Sequence, residues 1–153
     1  MEYASIDREI HIDAPPEVVF EVISTPEHVR EWWSVSTDFE PAPGSTSELV
    51  WADGDNPRAH VEQLSVVVTD PPRVFSFRWT NPPGESAVEG NSNLVTFELE
   101  PAGTGTLLRF SETGFRERGW EAAAIEERYL SHSEGWDRFV PIIKTYAERL
   151  EAA

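Results

Sequence analysis

Four acid–base side chains stand where strand and helix periodicity turns them toward a protein interior. Leu64, Val66 and Val68 alternate as the inward side of a strand, and the same phase continued backward reaches Glu62 and His60. Leu108 and Phe110 form another inward series, which continued forward reaches Glu112. His132 lies on the apolar stripe of a C-terminal helix. His60, Glu62, Glu112 and His132 are therefore expected to converge as the polar end of a pocket. A buried carboxylate beside a histidine is the usual pairing for moving a proton, which makes Glu62, Glu112 and His132 the candidate catalytic groups. A plainer reading stands beside this one: strand ends are often wet, one bulge reverses every later phase, and a stripe histidine is commonly a rim or core residue. The four His are scattered, no helix carries His-x-x-x-His, and there is no Cys, so no metal site is expected. No nucleophile motif or glycine-rich phosphate loop is present, and no cofactor is expected.

The helix that would carry His132 is the longest element expected, from Trp120 to Leu150. Ile125, Tyr129, His132, Trp136, Val140, Ile143, Ala147 and Leu150 recur at three- or four-residue steps and share one stripe. At ~1.5 Å per residue the helix is roughly 45 Å long if unbroken and needs a broad apolar partner. Pro141 removes one hydrogen bond and is expected to kink it.

The partner is a run of strands. Ile6, Ile10 and Ile12 alternate with polar residues, Arg8 being the exception on the inward phase, placed at an edge. Two short helices follow, opened by Pro15-Pro16 and by Thr25-Pro26, with Thr25 as a capping residue, and they end on Trp32-Trp33. Strands are then expected at 48–51, 58–69, 73–80, 93–100 and 106–113, separated by turns such as Asp53-Gly54-Asp55-Asn56-Pro57 and Asn81-Pro82-Pro83-Gly84. Consecutive hairpins without intervening helices imply an antiparallel meander. Phe75, Phe77 and Trp79 share one side of their strand, as do Val95, Phe97 and Leu99, so one face of the sheet is aromatic.

The fold class is therefore α+β: a curved antiparallel sheet of about six to seven strands, two short bracing helices after the first strand, and a long C-terminal helix across the sheet. One domain over residues 1–153 accommodates it. The net charge of −16 opposes binding to nucleic acid or anionic membrane. No N-terminal apolar signal segment and no run of ~20 apolar residues is present, so a cytoplasmic protein without membrane insertion is expected. Six Trp and eight Phe demand either a heavy aromatic core or an apolar pocket.

Four stretches together resemble one family. They are 10–20 (Ile10 to Phe20), Glu31-Trp32-Trp33, 70–79 (Asp70 to Trp79) and Gly135-Trp136 with the helix beyond it; Thr113-Gly114-Phe115 also fits. The chain resembles the START/SRPBCC superfamily, the helix-grip fold of the birch-pollen allergen, in the branch similar to the C-terminal domain of the activator of Hsp90 ATPase. It departs from that pattern in the long segment between Gly114 and Gly135 and in Pro141. The resemblance implies an internal cavity for a small hydrophobic molecule. Trp32, Trp51, His60, Phe75 and Phe77 are expected ligand contacts, together with Trp79, Phe97, Phe110, Trp136 and Val140. Three functions follow in order: a carrier or sensor of a hydrophobic or aromatic molecule, an aromatase/cyclase-type enzyme on a polyketide-like substrate, and a co-chaperone or partner-binding domain. The last ranks third because the chaperone activator carries a further N-terminal domain for which 153 residues leave no room. Ligand, protein partner and oligomeric state stay open.

Overall fold

The computed structural model describes residues 3–153. Strand β1 (Ser5–Ile12) leads into helices α1 (Pro16–Ser24) and α2 (Pro26–Trp33). Strands β2 (Thr46–Asp53), β3 (Asn56–Asp70), β4 (Val74–Trp79), β5 (Asn93–Ala102) and β6 (Gly105–Thr113) follow. A single 3₁₀ turn (Arg116–Arg118) then precedes helix α3 (Ala122–Ala152). The six strands form one antiparallel sheet in the order β1-β6-β5-β4-β3-β2, an open meander whose first strand crosses to the far edge. Short turns join the strands, as expected from their Gly and Pro content, and most strands run one or more residues beyond their expected ends.

Each short helix starts on proline in its first turn, where a missing N–H matters least. Thr25 occupies the N-cap of α2, but its side chain makes no capping hydrogen bond. Its carbonyl instead accepts from the His28 and Val29 amides. The two helices brace the sheet through Val19, Val22, Ile23 and Val29, all buried. The Trp32 indole donates to the Val22 carbonyl at 2.8 Å and locks α2 onto α1.

Helix α3 continues through Pro141, whose Asp137 carbonyl loses a donor. Trp136, Val140, Ile143 and Ala147 of its stripe are buried, and Ile125 and Tyr129 are half-buried. Leu150 lies outside the core, 37% exposed, because the last turn has run beyond the sheet. Arg8 explains its own apparent misplacement. From edge strand β1 its guanidinium reaches Asp137 at 2.7 Å and Ser133 Oγ at 2.8 Å, so an inward charge becomes a strap to α3. At the other end Lys144 and the Asp13 amide both donate to Glu148.

One expectation about phase fails. The register of β3 against β4 shifts between Val66 and Val68, so Leu64 and Val66 are buried while Val68 is 40% exposed. The bulge inserts one extra residue and turns Val68 to the outer side. It lies on the C-terminal side of Val66 and leaves the phase toward Glu62 and His60 intact.

The centre of the grip is filled. Phe75 and Phe97 are fully buried and Phe110 is 2% exposed. Phe97 meets Phe110 at 5.4 Å between centroids, their planes tilted by 60°, and Phe110 meets Trp136 at 4.4 Å. Burying rings of this size contributes a few kcal/mol each, so this layer dominates the packing energy. Among the described residues no helix is long and apolar enough to cross a membrane.

Candidate functional site

Antiparallel order brings the start of β3, the end of β4, the start of β5 and the end of β6 to one end of the sheet. That end holds His60 and Glu62, Trp79, Asn93 and Glu112 respectively. Helix α3 passes above and presents Arg128, His132, Gly135, Trp136 and Phe139, whose spacing places them on one stripe. Trp33 at the end of α2 closes the third side. These elements frame a cleft of about 260 Å³ that is open on one side.

The walls are indoles. Trp33 touches Trp51, Trp79 and Trp136 with centroids 5.6, 5.2 and 5.2 Å away. Trp51 and His60 are cross-strand partners on β2 and β3, and their rings stand 5.5 Å apart. Gly135 leaves a gap in the α3 wall: a Cβ placed there would meet nothing within 4 Å.

Beneath the cleft lies Glu112, with no exposed surface. Its two oxygens are filled by four donors from three elements. Trp136 Nε1 reaches Oε1 at 2.9 Å, and Trp79 Nε1 and Asn93 Nδ2 reach Oε2 at 2.7 and 3.1 Å. His132 Nδ1 stands 2.9 and 3.0 Å from the two oxygens. A carboxylate can be withdrawn from water when each lone pair meets a donor, and here that condition is met by side chains alone. The network also sets the aromatic walls, since both bonded indoles line the cleft.

A smaller recess adjoins His132 and is lined by Glu62, Thr80, Asn93, Arg118, Trp120 and Arg128. Arg118 donates to Thr80 Oγ1 at 2.7 Å, to the Thr80 carbonyl at 3.0 Å and to Asn93 Oδ1 at 3.2 Å. Thr80 has φ 67°, a left-handed conformation costly for a β-branched residue, so these bonds hold a strained turn directly after Trp79. Burial lowers the Arg118 pKa and Arg128 lowers it further, against the charges of Glu62 and Glu112. The Arg118 guanidinium lies over Trp120, 4.4 Å from the ring centroid.

The structure thus brings all four acid–base candidates to one end. Glu112 and His132 form one bonded pair, and His60 Nε2 and Glu62 form a second at 2.7 Å. His60, Glu62 and His132 line the cleft, with Trp51, Trp79 and Trp136 among the expected contacts. Trp32, Phe75, Phe77, Phe97, Phe110 and Val140 sit in the packed core and outside the lining. Trp33, Asn93, Arg118, Arg128, Gly135 and Phe139 were not anticipated from sequence. Asn93 carried a readable signal, because the inward phase of Val95, Phe97 and Leu99 continued backward lands on it. Arg118 belongs to no apolar pattern and is brought in by the turn after β6, and Arg128 stands one helical turn before His132 on α3.

Other openings have different chemistry. A groove of about 620 Å³ beside α1 is lined by Val18, Phe20, Pro71 and Pro72 with exposed Glu17 and Glu21 at its rim. Among the described residues no cluster of three or more His, Asp or Glu is placed to hold a metal ion.

Known proteins share this architecture. Protein MLL2253 from Mesorhizobium loti is 24% identical and superposes with a TM-score of 0.74 over 95% of this chain and 97% of its own. DynU16, described as belonging to the dynemicin biosynthetic locus, is 19% identical with a TM-score of 0.71 over 97% of this chain. The match takes in 48% of DynU16, so this chain spans about half of that protein. The Aha1 dimer from Colwellia psychrerythraea is 19% identical, with a TM-score of 0.66 over 94% of this chain and 96% of its own. These likenesses establish the helix-grip fold. No curated protein matches. Residues 13–148 match the family described as Activator of Hsp90 ATPase homolog 1-like protein. That span runs from the end of β1 almost to the end of α3 and contains the whole indole-walled cleft with its buried carboxylate, and by it the chain belongs to the Activator of Hsp90 ATPase homolog 1-like family.

Proposed function

We propose that the protein is a cytoplasmic carrier or sensor that binds a small hydrophobic, aromatic molecule in the cleft between the sheet and α3. The reading rests on one observation. Five aromatic walls, Trp33, Trp51, Trp79, Trp136 and Phe139, surround a space that Gly135 leaves open where any larger residue would project. Flat aromatic surfaces of this kind favour a flat apolar ligand, with a few polar groups to orient it. The packed centre of the grip supports a binding position at the end of the sheet rather than its middle.

Native mass spectrometry of gently purified protein, followed by thermal shifts with a panel of two- and three-ring aromatics, tests this. Gly135→Phe fills the cleft without a backbone clash and is expected to abolish the shifts while the unliganded fold is retained. Shifts of equal size in Gly135→Phe, or a bare mass with no shift across the panel in the wild type, would refute the proposal.

The Glu112–His132 bond favours a second reading, an aromatase/cyclase-type enzyme with a polyketide-like substrate in the same cleft. It requires that His132→Gln lose turnover while aromatic binding survives.

A further inference from the structure

We propose that the cleft selects aromatic molecules bearing a hydroxyl group, a phenol-class ligand whose O–H donates to Nε2 of His132. This rests on the aromatic-cleft reading above and names the ligand class within it.

Glu112 lies buried beneath the cleft. Trp79, Trp136 and Asn93 meet the carboxylate through N–H groups that can only donate. The oxygens are therefore acceptors, and the fourth contact, His132 Nδ1, supplies a proton as well. A neutral imidazole protonated at Nδ1 presents Nε2 as a lone-pair acceptor. No described residue bonds to that atom. The ring lies against two aromatic neighbours, tilted to Trp79 at 5.1 Å and edge-on to Phe115 at 5.4 Å between centroids. The bond to Glu112 and these two contacts orient the ring.

His132 lines both the cleft and the recess beside it, and its side chain is 14% exposed. Water reaches such an atom when the site is empty, and a ligand on the indole walls displaces that water. A ligand without a donor then leaves a shielded acceptor unpaired, whereas a hydroxyl replaces the lost bond. Sites with one committed acceptor discriminate by this penalty more than by attraction. The neighbouring polar groups already have partners or face solvent. Glu62 is engaged by His60, and Arg118 is engaged by Thr80 and Asn93. Ser131 and Arg128 are exposed at the rim. The aromatic walls specify the ring, and His132 specifies the hydrogen on its substituent.

Calorimetric titration with 2-naphthol and with 2-methoxynaphthalene tests the assignment, because the two probes share a ring system and differ in the donor. Wild-type protein is expected to bind 2-naphthol at least about tenfold more tightly, the equivalent of one hydrogen bond. In His132→Phe the two affinities should converge through weakening of 2-naphthol, with 2-methoxynaphthalene held by the unchanged walls. Glu112 keeps three donors in that variant, and circular dichroism checks its fold. If it does not fold, the wild-type pair decides alone. Equal binding of both probes to the wild type overturns hydroxyl selection and leaves the aromatic cleft standing. Binding of neither probe refutes the cleft reading and this inference with it.

Discussion

Replacing Glu112 by Gln changes one atom and almost no volume, yet the structure makes it a severe substitution. Each carboxylate oxygen accepts from at least two donors, His132 and Trp136 on Oε1, Trp79 and Asn93 on Oε2. The amide retains one acceptor oxygen and points an NH2 group at the other donor pair. His132 can change tautomer to accept from that group, but an indole N–H has no such freedom, so at least one buried donor is stranded. A stranded donor costs about 1–3 kcal/mol, and each remaining bond loses about 1 kcal/mol as a charged acceptor becomes neutral. The sum is about 3–5 kcal/mol, a large part of the roughly 5–15 kcal/mol that holds a domain of this size. Urea unfolding followed by far-ultraviolet circular dichroism measures it, and equal slopes in the two proteins would show that the unfolding transition is unchanged. The melting temperature should fall by roughly 6–20 °C. His132→Phe should cost less than Glu112→Gln, since three donors still fill the carboxylate. A loss below about 1 kcal/mol for Glu112→Gln, or the reverse order of the two variants, would show that the indoles do not depend on this acceptor.

Three further outcomes follow, two from the surroundings of the site and one from the far end of α3. Arg118→Met removes the bonds that hold Thr80 in its left-handed turn and should destabilise by about 1–2 kcal/mol in urea; adding Thr80→Gly should recover about 1 kcal/mol by relieving the strain. Gly114→Ala should cost at least ~2 kcal/mol, because φ is +111° and the new Cβ would lie 2.9 Å from the Ser92 carbonyl, beside the residue that positions Asn93; a melting curve close to wild type would contradict this. The Lys144 ammonium, and after it the Asp13 amide, hold the Glu148 carboxyl below its usual range. A depressed folded pKa stabilises above the unfolded value of about 4.3 and loses that contribution as pH falls through the lower folded value. Glu148→Gln should therefore melt below the wild type at neutral pH, with the gap closing under acid conditions, and a gap independent of pH would refute the pairing.

Much of this was legible in periodicity. The stripe from Ile125 to Ala147 dictated a helix that had to cover something, and the alternation in 73–80, 93–100 and 106–113 supplied the surface. Glu112 and His132 were found by extending those two periods, because the residues between them and the core kept strict phase. Val68 was misassigned because a bulge adds one residue without leaving a compositional mark. The filling of the central grip was not legible either. Whether facing rings interlock or stand apart depends on the distance between α3 and the sheet, and straps such as Arg8 to Asp137 set that distance across more than a hundred residues. Arg118 obeys no period, and the turn of the chain after Gly114 brings it beside His132, whereas Arg128 stands there by the i, i+4 spacing of α3.

The bulge in β3 has a consequence for how the molecule behaves among its own copies. Strand β2 pairs with β3 no farther than Ser65, and the Gly44–Ser45 segment bonds to Val66. Among the described residues no strand pairs with the outer edge of β3 from Val67 to Asp70, and the exposed Val67 and Val68 stand on that margin. Consecutive valines on an open strand edge are a template on which an unfolding neighbour could add its own strand. An incoming strand needs regularly spaced N–H and C=O groups, and the extra residue between Val66 and Val68 breaks that spacing where the apolar surface begins. The irregularity that hides the phase of Val68 from sequence reading also interrupts the edge on which a second copy would have to pair.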